Sequence, residues 1–374
     1  MSVTRPYRVP RRHFLAIPVA AAAATAASGR LAAAGESAAR AGVMQGAGSV
    51  RRFTHPGFLD LQVNGFAGVD FNDPATRPDQ VREAVAAMRA RGVTQLLPTL
   101  ISAPAPSFER CATTLLQANE RAILGIHLEG PYISPEDGAR GAHAREHTAP
   151  ASIDDFKRRQ DAAGGRIRLV TLAPEVPGGL RLIEHLRAGG IRAAIGHTAA
   201  TPEQIREAVR AGASLSTHLG NGCANMLPRH PNFIWEQLAA DELIASLIVD
   251  GHHLPPATVK AMVRAKTVGR VVLVTDAIAA AGQPPGEYRL GGLRVRLDEN
   301  GRVAAPGQPN LAGSALSMDR AVANTVRFAG VSIEEALAMA STTPAEYLGV
   351  QPAGSLDLEW DPASFSLRVL RAKL

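Results

Sequence analysis

Cysteine is scarce in this chain. Its 374 residues include only Cys111 and Cys223, which excludes a disulfide scaffold and any four-cysteine zinc module. Aromatic residues are 4% of the total, too few for a platform on which single-stranded nucleic acid stacks. Hydrophobic residues at 46% and charged residues at 20% are ordinary globular usage, so disorder, a coiled coil and a collagen-like repeat are excluded as well. Carboxylates are absent before Glu36, whereas Arg5, Arg8, Arg11, Arg12 and Arg30 precede it and account for most of the +6 net charge. The remainder is close to neutral and has no global field to gather a polyanion. Nucleic acid is therefore not an expected partner.

The first 34 residues form a leader-like unit. Arg11-Arg12-His13-Phe14-Leu15 is followed by an alanine-rich apolar run to Ser28, then by Ala32-Ala33-Ala34 as a small-residue cleavage candidate. The run is too short and too alanine-rich to read as a membrane span. The RRxFL core resembles a twin-arginine export signal, although Pro10 stands where Ser or Thr is usual and no Lys follows Leu15. The expectation is a periplasmic or extracytoplasmic protein with no stable membrane association after processing. A leader without function would leave it cytoplasmic.

Beyond the leader, apolar runs of strand length recur at Pro56–Asn64, Val93–Leu100, Ala122–Leu128, Ile167–Ala173, Ile191–His197, Ala213–His218, Leu243–Val249 and Val271–Asp276. Helix-like pieces lie between them, among them Pro78–Arg91, Ser107–Glu120, Gly179–Ala188, Pro202–Ala211 and Pro256–Lys266. Eight such units predict an α/β fold, a (β/α)₈ TIM-type barrel. A doubly wound sheet is disfavoured because no G-x-G-x-x-G follows the first strand.

Polar residues gather at one end of these strands: Gln62 and Asn64, His127 and Glu129, His197, His218, Asp250 with His253, and Asp276. That end of such a barrel carries its chemistry. Glu129, His197 and His218 make a two-imidazole, one-carboxylate set from three strands, which suits one divalent ion with an open position. Zinc fits first, and iron or manganese also accept these donors. Asp276 is placed to take a proton from water and return it to a leaving amine; a strand-end Asp also serves as a helix cap. His143, in a loop, is either a donor to a substrate carbonyl or a plain loop residue. His147, His230 and His252 read as surface or supporting residues, and Cys223 as structural.

PGFLDLQVNGFAGVDFND (Pro56–Asp73), GIHLEGPYISP (Gly125–Pro135), GAH (Gly141–His143), GHTAAT (Gly196–Thr201), STHLGN (Ser216–Asn221), VDGHHL (Val249–Leu254), LVTDAIAAAG (Leu273–Gly282) and LAGSALSM (Leu311–Met318) appear in this order. Together they resemble the N-acetylglucosamine-6-phosphate deacetylase family of the amidohydrolase superfamily. The resemblance implies Glu129, His197 and His218 as metal ligands and Asp276 as catalytic acid/base. It implies one metal, because Gln62 and Asn64 stand where most amidohydrolases carry His-x-His. Ala142, His143, Asn221, Gly222, His253, Leu311, Ala312 and Gly313 match substrate-contacting positions. The reaction implied is N-acetylglucosamine 6-phosphate plus water to glucosamine 6-phosphate plus acetate. Family members are usually homodimers in which an arginine of one subunit reaches the phosphate in the other, and Arg229 is the candidate.

This sequence also departs from the family. The loop Gly220–Trp235 is rebuilt, the N-terminal strands are nearly absent, and the closing strands are shortened. The organisation expected is an export signal over 1–34, a linker or residual annex over 35–55, a barrel over 56–285 and 304–350, and a reduced β annex from 286–303 and 351–374. An exported enzyme rarely meets sugar phosphates, so an unphosphorylated N-acetylhexosamine or another amide is an alternative substrate. A sugar-binding barrel without catalysis is a third reading.

Overall fold

The computed structural model describes residues 48–374 apart from Asn225, Gln308 and Pro309. The predicted export signal and the linker up to residue 47 lie outside the described residues.

The chain enters with β1 (Arg51–Pro56) and passes to β2 (Phe58–Val63), a strand buried along its whole length. A short hairpin of β3 (Gly65–Phe66) and β4 (Val69–Asp70) follows. Seven more buried strands succeed one another: β5 (Val93–Ile101), β6 (Ile126–Glu129), β7 (Ile167–Leu172), β8 (Arg192–Ile195), β9 (Ala213–Ser216), β10 (Ile244–Leu247) and β11 (Val271–Leu273). With β2 they form one eight-stranded sheet in sequence order, every neighbouring pair parallel. Helices separate the successive strands, as a right-handed parallel crossover requires. Strands covered on both faces read as near-continuous apolar runs, which is why the barrel was legible.

Helices Gly179–Ala188, Pro202–Ala211 and Pro256–Lys266 have the predicted bounds. Helix Pro202–Ala211 shows why: Thr201 Oγ accepts from Gln204 N at 3.3 Å, Gln204 Oε1 accepts from Thr201 N at 2.8 Å, and Pro202 sits in the first turn.

The seam between first and last strands is held differently. No ladder joins β2 to β11; there is one isolated bridge, Val63 to Ala277. Its backbone bonds include Asp276 N to Gln62 O at 2.9 Å and Asn64 N to Ala277 O at 2.7 Å.

Apart from the β3–β4 hairpin, the strands outside the barrel form two separate antiparallel sheets. One is β12 (Gly286–Leu290), β13 (Leu293–Leu297) and β14 (Val303–Ala304). Its Leu290, Val295, Leu297 and Val303 pack with Ile278 and Ala312 over the strand-end face. The other joins β1 to β15 (Ser355–Asp361) and β16 (Ser366–Lys373), with Leu356, Leu358 and Trp360 in the main core. Among the described residues, no helix is long and apolar enough to cross a membrane.

Candidate metal centre

Glu129 is the last residue of β6. His197 and His218 stand two residues beyond β8 and β9, and Asp276 three beyond β11. The sequence carried those three strands through to the functional residue, whereas the strands end earlier. The reason lies in the backbone: His197, His218 and Asp276 have φ of +50°, +30° and +48°. A side chain in this region costs about 1–2 kcal/mol and breaks the extended chain. Neighbours hold the strained turns. His218 N donates to Ser246 Oγ at 2.7 Å, and Ser134 N donates to His197 O at 2.9 Å. Thr198 Oγ and Ala199 N both donate to the carboxylate of Glu175, which fixes the segment after His197.

Glu129 Oε1, His197 Nε2 and His218 Nε2 form a nearly equilateral triangle with edges of 3.2, 3.1 and 3.1 Å. Donor atoms about 2.0–2.1 Å from a tetrahedral zinc lie about 3.3–3.4 Å apart, so the triangle suits such an ion. The protonation pattern points the same way. His197 Nδ1 faces the Ala139 carbonyl at 3.1 Å. A carbonyl only accepts, so Nδ1 carries the hydrogen and Nε2 offers a bare lone pair. That lone pair faces a carboxylate oxygen and another imidazole nitrogen at a site only a few per cent exposed. Such a convergence is favourable around a cation and costly without one. Burial alone would raise the Glu129 carboxyl, but the His197 and His218 imidazoles beside it hold it well below the ordinary range.

His143 approaches the same carboxylate, its Nε2 at 3.9 Å from Glu129 Oε2. It also lies within ligand reach of Glu129 and His197, but its hydrogen bonding argues for another role. Nδ1 meets Ser102 Oγ at 2.9 Å and accepts from Ser102 N at 3.4 Å, which leaves Nε2 as the N–H facing the cavity. Burial, reinforced by the neighbouring His197, pushes the ring down to about 3, so it is neutral near pH 7. His143 is a hydrogen-bond donor beside the centre.

Gln62 links the centre to Asp276. Its Nε2 donates to Glu129 Oε1 at 2.8 Å and to Asp276 Oδ1 at 3.3 Å, and Asn64 Nδ2 donates to the same Oδ1 at 2.7 Å. Burial and the Glu129 charge push Asp276 up to about 7; a bound cation would draw it down again.

Asn64, Glu129, His197, His218 and Asp276 line a cavity of about 350 Å³. Ala142, His143, Asn221, Gly222, His253, Leu311 and Gly313, all predicted substrate contacts, line it too. Ala312 is buried in the small core behind it. Arg229 is exposed on loop 220–235 and does not line this cavity. His253 is aimed by Asp250, whose Oδ2 lies 2.6 Å from Nδ1. Leu290, Arg302 and Asn310, which no motif marked, line the cavity, and so does His252, expected to be a surface or supporting residue. Leu290 and Arg302 come from the β12–β14 sheet and its connections, and no local periodicity ties that sheet to the barrel rim.

The amidohydrolase family pattern matches residues 53–362. The chain belongs to the amidohydrolase family. Within it, the deacetylase relationship implied by the motifs is found. An N-acetylgalactosamine-6-phosphate deacetylase of Escherichia coli O157:H7 is 38% identical over 301 residues, 79% of this chain and 78% of the relative. The human N-acetylglucosamine-6-phosphate deacetylase is 36% identical over 325 residues, 83% and 78% of the two chains. A mutant N-acetyl-D-glucosamine-6-phosphate deacetylase from Mycobacterium smegmatis, solved in complex with N-acetyl-D-glucosamine-6-phosphate, superposes with a TM-score of 0.78 at 32% identity, covering 84% of each chain.

Proposed function

We propose that this amidohydrolase is a metal-dependent deacetylase that hydrolyses the 2-acetamido group of N-acetylglucosamine 6-phosphate, giving glucosamine 6-phosphate and acetate. The observation that carries the reading is the Glu129–His197–His218 triangle facing Asp276 across Gln62 and Asn64. Glu129, His197 and His218 would hold one divalent ion, zinc by its donor set, which when bound would supply Lewis acidity toward the amide carbonyl and water.

The chain's own residues do the rest. Asp276 accepts the proton of the attacking water through its carboxylate and delivers it to the amide nitrogen as the carbon–nitrogen bond breaks. Gln62 and Asn64 hold one of its oxygens, leaving the other to reach the reactants. His143 donates from Nε2 to the substrate, and the missing side chains of Gly141 and Gly222 leave room for the His197 ring between them. A homodimer, with Arg229 of one subunit turned to the substrate phosphate of the other, accounts for Arg229 being exposed on its own subunit.

A second reading concerns the sugar. The 38% relative is named for the galacto epimer, so N-acetylgalactosamine 6-phosphate is a competing substrate. The leader supports export, and export favours an unphosphorylated sugar. Metal-loaded protein offered both 6-phosphates and free N-acetylglucosamine side by side separates these cases by kcat/KM for acetate release. Preference for the free sugar would overturn the phosphorylated substrate. A fusion of residues 1–34 to a reporter active only outside the cytoplasm tests the leader.

A further inference from the structure

Asp60 has no exposed surface and no part in the chemistry above. It is the first of three polar residues spaced two apart, Asp60 and Gln62 on β2 and Asn64 just past its end. All three hold the segment that follows β11. Asn64 and Gln62 donate to the Asp276 carboxylate. Asp60 instead accepts, with Oδ1 taking Gln62 N at 3.2 Å and Thr275 N at 3.3 Å, and Oδ2 taking Thr275 Oγ at 2.5 Å.

Each of these bonds crosses or flanks the seam that lacks a ladder. The Thr275 hydroxyl also reaches Gln62 O at 3.4 Å and accepts from Ala277 N at 3.2 Å. Thr275 and Ala277 bracket Asp276, so the residue with φ of +48° is fixed on both sides. Ser314 braces the outer side: its Oγ donates to Thr275 O at 2.5 Å and its N to Asp276 O at 2.9 Å.

We propose that Asp60 is the positioning residue for Asp276: acting through Thr275, it closes the barrel seam and fixes the direction in which the Asp276 carboxylate points. The inference rests on the deacetylase reading for its kinetic consequence and on geometry alone for its structural one. A side-chain clamp is needed because a left-handed Asp276 cannot extend a strand ladder. Misplacing a reacting group by about 1 Å costs up to about 10²-fold in rate.

The test uses the full-length metal-loaded protein with T275S, T275V and D60A. T275S keeps the hydroxyl and retains wild-type kcat. T275V removes it at nearly constant shape, and kcat for acetate release from N-acetylglucosamine 6-phosphate falls about 10²-fold. KM stays within about threefold and bound metal at one per chain, because the ligands and sugar contacts are untouched. Amide exchange speeds up at 274–278 in T275V and D60A, while the segments around Glu129 and His218 keep their protection. Wild-type kcat and exchange in T275V would overturn the proposal, and so would activity lost only in step with metal or folded protein. If D60A does not fold, T275V and T275S decide. If the wild type releases no acetate from any of the sugars, the deacetylase reading fails, and exchange at 274–278 decides the clamp by itself.

Discussion

Asn64 Nδ2 donates to Asp276 Oδ1 at 2.7 Å, across the seam where the first and last barrel strands meet without a ladder. An amide N–H only donates here, so the bond orients the carboxylate without competing for the proton that the proposed mechanism assigns to Asp276.

Replacing Asp276 with Asn removes the proton acceptor and leaves the Glu129–His197–His218 triangle whole. The expected result is a fall in kcat of about 10²–10⁴ with metal content unchanged at one per chain. Acetate release and elemental analysis on the same sample check it. Metal lost together with activity would make Asp276 a ligand.

Glu129→Gln keeps the shape of the side chain and removes its charge. Metal affinity should fall by about 10²-fold or more, read by competition with a chromophoric chelator. Gln62→Ala removes the donor to both Glu129 and Asp276 and should weaken metal binding by a smaller factor, about 10–100-fold. An equal effect of the two would assign Gln62 to the ligand set.

Gly222 has φ of +57°, and a Cβ placed there would lie 2.7 Å from His197 Nδ1. Gly222→Ala should therefore displace the imidazole as well as strain the backbone. Conformation alone costs about 1–2 kcal/mol, read as a lower urea midpoint for the metal-free protein. Weaker metal binding accompanies it. Unchanged binding would mean that the loop moves aside without moving His197.

Asp70 accepts from Asn72 N at 2.9 Å and Gly291 N at 2.6 Å, and burial pushes it up to about 7. Its ordinary value is near 4. A raised carboxyl favours the folded state while protonated, so this contribution is present below about pH 4 and is lost as pH rises through about 7. Between pH 5 and pH 8 the wild type should lose stability relative to Asp70→Asn. Denaturant midpoints of both proteins at the two pH values measure this, and parallel behaviour would count against it.

The barrel was legible because fully buried parallel strands leave apolar runs that end in polar tips, and Glu129, His197, His218 and Asp276 were each such a tip. The strand ends were not legible. Continuing the runs to His197, His218 and Asp276 assumes extended backbone, and nothing in the identity of a histidine or an aspartate announces a left-handed turn. Asp60 was passed over although it sits two residues before Gln62, on the same side of the same strand. An alternation of acid, amide and amide inside an otherwise apolar strand is a readable signal. Ser102 and Glu175 were invisible for a different reason. Ser102 meets His143, 41 positions away, and Glu175 holds Thr198, 23 positions away and next to His197; only the folded chain defines those pairs.

The three left-handed turns at His197, His218 and Asp276 set the needs of the fold against those of the chemistry. Glycine at any of them would relax the backbone by about 1 kcal/mol. Laboratory evolution of this chain for heat resistance alone should drift toward glycine at these rim positions and yield sturdier barrels that no longer turn over substrate. Selection for activity must therefore push uphill at three points of the same ring.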